Sequence, residues 1–323
     1  MKSDQDLTFP IQKDLQILDD NLRKLIGARH PTLYAAAEHL FDAGGKRLRP
    51  AIILLAAKAT NSIEEVLPSQ RRLSEIAEII HTASLVHDDI IDECNFRRGV
   101  RTVQNSYGSR IAVLTGDFLF AQSSWYLANL NNIEVVKVIS KVITDFAEGE
   151  IRQGVTQFNT GFSIENYLEK SFYKTASLMA AACKGAAMLN KAGEDINHKL
   201  YEYGKNLGLA FQIIDDILDF SGTIDNLGKP AGSDLKTGNL TAPILFALTQ
   251  DSSLIDIIDR EFSFNNDIEI TMAIIKETNA IEESKELAFE HIQAAIQSLE
   301  GIPNSNSKKC LISIANYAWK RTS

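Results

Sequence analysis

Two short acidic patterns carry the chemistry in this chain. One is His87-Asp88-Asp89-Ile90-Ile91-Asp92, the other Asp215-Asp216-Ile217-Leu218-Asp219, so Asp-Asp-x-x-Asp occurs twice. On a helix the first and last Asp of each set share a face, about 6 Å apart. Both sets follow strongly apolar runs: Ile79-Ile80 and Leu85-Val86 before the first, Leu209-Ala210-Phe211 and Ile213-Ile214 before the second. An exposed like-charge pair at this spacing costs only a few tenths of a kcal/mol. In a partly dry cleft the same carboxylates repel by roughly 4 kcal/mol per close pair at an effective dielectric near 20, and a cation must offset that. Oxygen donors with no His/Cys set favour Mg²⁺, which takes a few carboxylates and completes its shell with water and substrate phosphate. One such set is as readily a solvated helix face. Two identical sets, each in an apolar helix, point to metal-bound phosphate.

That chemistry needs cations for the phosphate oxygens no metal holds. Gly44-Gly45-Lys46-Arg47-Leu48-Arg49-Pro50 supplies three, just before an apolar helix, and Arg97-Arg98-Gly99 follows Asp92 closely. Arginine forks suit phosphate because two parallel donors meet two oxygens. Lys174-Thr175 and the loop lysines Lys229 and Lys236 add more. Any one of these is ordinarily a surface charge; their company with the aspartates gives them weight. His81 lies two helical turns before Asp88 on the same stripe, with Ser84 between them; a lone helix histidine is more often structural, but this one shares a face with the first aspartate set.

The elements that position these groups are helices. Segments 69–93, 109–130, 133–157, 163–190 and 196–220 are rich in Ala, Leu, Ile, Glu and Lys with apolar spacings of three and four. No strand-like alternation is bounded by turn residues. Breaks fall at Gly44-Gly45, Arg97-Arg98-Gly99, Asn159-Thr160-Gly161 and from Ser221 to Gly238. With no repeat and no low-complexity tract, the 323 residues read as one all-α domain, 1–323. The formal net charge of −9 disfavours a nucleic-acid partner, which needs a concentrated basic surface. Cys94, Cys183 and Cys310, widely spaced and odd in number, argue for a reducing compartment. No apolar run is long enough to span a membrane, and the polar start Met1-Lys2-Ser3-Asp4 leads into no signal region.

In these motifs the sequence resembles the trans-type (head-to-tail) polyprenyl diphosphate synthases. The matching elements, in family order, are Gly44 to Pro50, His81-Thr82-Ala83-Ser84-Leu85-Val86-His87-Asp88-Asp89 with Asp92, Arg97-Arg98-Gly99, Lys174-Thr175, and Phe211-Gln212-Ile213-Ile214-Asp215-Asp216 with Asp219. Gly116-Asp117-Phe118-Leu119-Phe120-Ala121-Gln122-Ser123 and Gly228-Lys229-Pro230-Ala231-Gly232-Ser233-Asp234 further resemble the long-chain, solanesyl-type synthases of cyanobacteria and plastids. The resemblance implies a helical bundle of the isoprenoid synthase type with a deep central cavity, acting as a homodimer. It implies that Asp88, Asp92 and Asp215 hold Mg²⁺ against an allylic diphosphate, with Asp89, Asp216 and Asp219 supporting them. Arg97, Lys174, Thr175, Gln212 and Lys229 would contact that diphosphate or its surroundings, Lys174 and Gln212 counting with the metal aspartates as catalytic. Lys46, Arg49, His81 and Arg98 would hold isopentenyl diphosphate. The expected activity is repeated condensation of the two, to a nonaprenyl tail for plastoquinone or a related quinone. The expected setting is the cytoplasm or a plastid stroma, with a peripheral membrane contact for product release. The chain's end, Trp319-Lys320-Arg321-Thr322-Ser323, departs from the basic run of short-chain members, which leaves its role open.

Ala83 and Ser84 stand where short-chain relatives place bulky aromatics, so the route below the first aspartates reads as open. A tail running down such helices is held by burial of about 0.8 kcal/mol per methylene. Phe118, Phe120, Trp125 and Tyr126 are candidates for its floor, though more often such aromatics are core or dimer interface. Three other readings fit less of the chain. A class I terpene cyclase would not repeat Asp-Asp-x-x-Asp, an HD-type phosphohydrolase would leave the second set idle, and a non-catalytic partner subunit would not need both sets intact.

Overall fold

The computed structural model describes residues 7–25, 27–42, 47–61, 65–97, 99–221 and 232–322. Lys46, Arg98 and Lys229, the Gly44-Gly45 break and most of the 221–238 loop lie outside these. Helices in chain order are α1 (Gln12–Leu25), α2 (Pro31–Asp42), α3 (Leu48–Ala59), α4 (Pro68–Ile91), α5 (Val103–Tyr107), α6 (Ser109–Ala128) and α7 (Ile133–Val155). There follow α8 (Ile164–Ser171), α9 (Ser177–Leu189), α10 (Glu194–Ser221), α11 (Ser233–Lys236) and α12 (Ala242–Gln250). The last are α13 (Ser253–Asp259), α14 (Asp267–Glu277), α15 (Ala280–Ser298) and α16 (Asn306–Trp319). The all-α expectation holds, with one small departure. A two-residue hairpin pairs Phe96 with Arg101 and Arg97 with Val100 at the predicted Arg97–Gly99 break.

The described residues pack as two compact units, Met1–Ile143 with Leu178–Tyr201 and Gly301–Ser313, and Thr144–Ser177 with Glu202–Glu300 and Ile314–Ser323. In the first, the Ala51 to Ala57 stretch of α3 is apolar all round and wholly buried, as such a stretch must be. It packs on α4, which also packs along α6. Pro68 sits in the first turn of α4, where a missing N–H costs nothing. Gln70 accepts from the Leu67 N–H at 2.9 Å and donates to the Ala186 carbonyl at 2.8 Å, which anchors this end of the helix. Leu73, Ile76, Ala77, Ile80, Ala83 and Val86 are buried, leaving His81, Ser84, Leu85 and Asp88 as a half-buried stripe at helical spacing. Val86 joins Ala36, Val103 and Ala112 in one apolar cluster. Where α4 meets α6, Gly116 lies against the His87 ring so closely that a Cβ there would overlap it.

In the second unit, Ile213, Ile214, Ile217 and Phe220 of α10 are buried, and α12 packs on α15 and α14. Between α8 and α9 the chain forms a π-helical turn, Phe172–Ala176. Such turns insert one extra residue into a helix and often mark functional sites. It packs against α10 at Gly208, where a Cβ would stand 2.7 Å from the Ala176 Cα. Backbone cannot swing aside as a flexible side chain can, so Gly208→Ala should destabilise the protein by about 1–3 kcal/mol, the usual cost of overpacking. Urea unfolding checks this, and an unchanged midpoint would contradict the close crossing.

Candidate active site

The first aspartate set closes α4. Asp92 is its C-cap and donates its N–H to the Asp88 carbonyl at 2.8 Å. The three carboxylates then differ in setting: Asp88 is half-buried, Asp92 exposed and Asp89 buried. The Asp89 carboxylate receives Nε and Nη2 of Arg97, each at 2.7 Å, so this pair ties the hairpin to the helix end. Burial pushes the Asp89 carboxyl up, Arg97 pulls it down, and the neighbouring Asp92 adds to the rise. Asp89 is thus a held, buried carboxylate, while Asp88 and Asp92 are more accessible at the helix end.

Two predicted substrate residues meet nearby. Arg49, in the first turn of α3, donates through Nη1 to His81 Nε2 at 2.9 Å, which makes that ring nitrogen an acceptor. The third cation of the 46–49 cluster serves the fold: Arg47 pairs with Glu78 at 2.7 Å and Asp19 at 3.0 Å. Ala83 is wholly buried, whereas Ser84 is half-buried on the Asp88 stripe and donates to the His81 carbonyl at 2.9 Å.

The second set lies on α10 and divides differently, with its last aspartate buried. Asp215 is exposed; Asp216 and Asp219 are buried. Asp216 accepts from the Tyr167 hydroxyl at 2.6 Å and from Gln212 Nε2 at 2.8 Å. Gln212 in turn accepts from the Thr175 hydroxyl at 2.7 Å, so a relay runs Thr175–Gln212–Asp216–Tyr167. Burial raises the Asp216 carboxyl to about 7, with Asp234 adding to the rise and Tyr167, Gln212 and Lys170 opposing it. Asp219 accepts from the Asp234 N–H at 3.4 Å, and its carbonyl from the Gly232 N–H at 3.0 Å, fixing the start of α11. Lys174 extends from the π turn to Glu150 at 2.5 Å and Gln153 at 3.2 Å. The exposed carboxylate of Asp215 meets Arg321 Nη2 at 2.8 Å, which brings the chain's last basic pair to the second set.

Each unit therefore gathers its share of the expected residues: Arg49, His81, Ser84, Asp88 and Asp92 in one, Lys174, Thr175, Gln212 and Asp215 in the other. Tyr167, Glu150 and Arg321 were not foreseen. Tyr167 stands seven residues before Lys174, a helical repeat that could have flagged it; nothing local marks Glu150 or Arg321 as partners.

The family model described as Polyprenyl synthetase matches residues 30–275, most of the chain and all of the motifs above. The chain belongs to the polyprenyl synthetase family. As a member it is 57% identical over 323 residues to a prenyl transferase of Porphyra purpurea, covering all of both chains. It is 50% identical over 311 residues to the chloroplastic solanesyl diphosphate synthase 1 of Arabidopsis thaliana, covering 95% of this chain and 77% of the relative. The polyprenyl synthase of Caulobacter crescentus, solved with calcium and isoprenyl diphosphate, superposes with a TM-score of 0.91 at 30% identity, covering 99% of this chain and 98% of that one. The polyprenyl synthetase match includes Asp216 and Tyr167 but stops before Arg321. Tyr167→Phe removes a donor from a buried carboxylate and should cost about 1–3 kcal/mol of stability. A denaturation midpoint equal to the parent's would show that Tyr167 does not hold Asp216.

Proposed function

We propose that this chain, a prenyltransferase that makes long-chain polyprenyl diphosphates, produces the nonaprenyl, solanesyl-type side chain of plastoquinone or a related quinone. In this reading residues 1–323 act as one synthase domain, with Mg²⁺ held by Asp88, Asp92 and Asp215. The observation that carries it is the division of labour within each Asp-Asp-x-x-Asp. The outer carboxylates of Asp88, Asp92 and Asp215 are half-buried or exposed, while Asp89, Asp216 and Asp219 are buried and engaged with protein donors. Oxygen donors of this kind fit Mg²⁺, which binds through one or two carboxylates plus substrate phosphates and needs no all-protein cage. Among the described residues no three acidic, His or Cys side chains form such a cage.

When bound, Mg²⁺ would offset the charge that develops on the departing diphosphate. The chain's own residues then bind, orient and exclude water. Lys174, Gln212, Thr175 and Arg97 would hold the allylic diphosphate, with Lys229 as a further candidate. Arg49 and His81, with Lys46 and Arg98, would hold isopentenyl diphosphate. The allylic C–O bond ionises, the isopentenyl double bond attacks the allylic carbon, and the proton lost goes to the leaving diphosphate. No side chain acts as nucleophile; the protein contributes charge stabilisation and position.

A homodimer is supported by large apolar side chains left exposed on α6, Val113, Leu114 and Trp125 being 41, 50 and 61% exposed. No helix among the described residues is long and apolar enough to cross a membrane. We place the enzyme in the cytoplasm or plastid stroma, touching the membrane only to release its product.

Ser84→Phe, at the half-buried position below Asp88, should shorten the product without abolishing turnover; chromatography of the products decides, and an unchanged length would refute the open route. Asp88→Ala and Asp215→Ala should each lower turnover ~10²-fold or more while circular dichroism stays helical. If both sets serve one diphosphate, the double variant should lose much less than the two single losses combined; fully additive losses would mean two independent sites. Leu114→Glu with Trp125→Glu should halve the mass seen by light scattering, and a retained dimer would exclude this face.

A further inference from the structure

The second unit holds a cavity of about 180 Å³, and no carboxylate of the second set lines it. Arg152, Thr156, Asn159, Phe162, Asn166 and Lys170 line it, and none of these side chains is acidic. Lys170 is its buried end at 6% exposure, while Asn159 and Asn166 are exposed and Arg152 is intermediate. The Lys170 ammonium donates to Asn239 Oδ1 at 2.5 Å and lies 5.2 and 5.8 Å from the ring centres of Phe162 and Tyr167. An ammonium carries three donors, and a buried one with a single hydrogen bond falls short of what water supplied. Burial lowers its pKa to about 8, with attraction to Asp216, Asp234 and Glu150 opposing and Lys174 reinforcing the fall. Those three carboxylates are not among the side chains that line the cavity.

The other lining groups are also left as donors. Arg152 uses Nη1 on Glu169 at 3.0 Å and stacks on Tyr173 at 5.1 Å, leaving Nε and Nη2 uncommitted among the described contacts. Asn159 spends its carbonyl oxygen on the Gly161 N–H at 2.9 Å, and Asn166 spends its own on the Ser163 hydroxyl at 3.0 Å. Both amides therefore have their NH₂ ends to offer. The one aromatic face, Phe162, is covered by the Lys170 ammonium, so an organic anion gains no apolar subsite. A compact, multiply charged oxyanion meets these donors best, because a guanidinium and an ammonium give charge-assisted bonds to phosphate oxygens.

We propose that this cavity, lined by Arg152, Lys170, Asn159 and Asn166, is a second oxyanion site that takes inorganic phosphate or diphosphate. The proposal stands apart from the prenyl-transfer reading, although that reaction would release diphosphate one helical turn from Lys170, at Lys174. The test is calorimetric titration of the full-length protein in EDTA with phosphate and, separately, with diphosphate. The parent, Arg152→Ala, Asn166→Ala and Lys170→Met are compared. Arg152→Ala should weaken one class of binding by about tenfold or more, the usual worth of a hydrogen bond to a charged group, and Asn166→Ala by less. Binding at Arg49 or other cations of the aspartate sites is untouched by Arg152→Ala and is separated by stoichiometry. Arg152-sensitive binding of diphosphate alone identifies released product as the occupant; equal binding of phosphate identifies the site as general for phosphate oxyanions. Lys170→Met should abolish the same class, and Arg152→Ala decides alone if that variant does not fold. No binding by the parent, or unchanged affinity and stoichiometry in Arg152→Ala, overturns the proposal.

Discussion

A carboxylate taken out of water must find donors or a cation, and that demand organises both acidic motifs. Asp89 finds Arg97, Asp216 finds Tyr167 and Gln212, and Asp219 finds the backbone that starts α11. The remaining aspartates sit nearer the surface, Asp88 half-buried, Asp92 exposed, and Asp215 exposed and paired with Arg321. In the proposed reading the outer positions would bind metal while the inner ones hold the helix ends in place. A fold that left the inner carboxylates loose would let them compete for the same cation.

The same logic explains the backbone around the second set. The π turn brings Lys174 and Thr175 to where Thr175 reaches Gln212, and Gly208 lets α10 approach that turn without a Cβ between them. In the first unit Gly116 plays the equivalent part, admitting the His87 ring beside the helix that ends in Asp88. Both glycines are thus packing residues whose absence of a side chain sets the position of functional groups.

Much of this was legible in residues alone. The long helices declare themselves because their apolar positions recur every three or four residues, and α4, α6, α7 and α10 fall within a few residues of the segments so marked. The two aspartate sets stood out because repeated carboxylates are unusual in apolar helices, whereas Gln212 was marked only by the family resemblance. The π turn was not, since one extra residue leaves the average periodicity of 163–190 almost unchanged. Tyr167 as the donor to Asp216 was not, because a buried tyrosine's partner depends on which helix packs over it. The open question of the C-terminus could not be answered locally either: Arg321 reaches Asp215 across more than a hundred residues, and the structure assigns it a carboxylate.

In the proposed reading this chain alone joins allylic diphosphate and isopentenyl diphosphate repeatedly. The direct measurement is incubation of the purified protein with labelled isopentenyl diphosphate, an allylic diphosphate and Mg²⁺, with chromatographic sizing of what forms. A diphosphate ester longer than geranylgeranyl, centred on nonaprenyl, is the expected product, and EDTA should abolish it. A hydrocarbon or free alcohol as the enzymatic product, or no incorporation without another subunit, would contradict it.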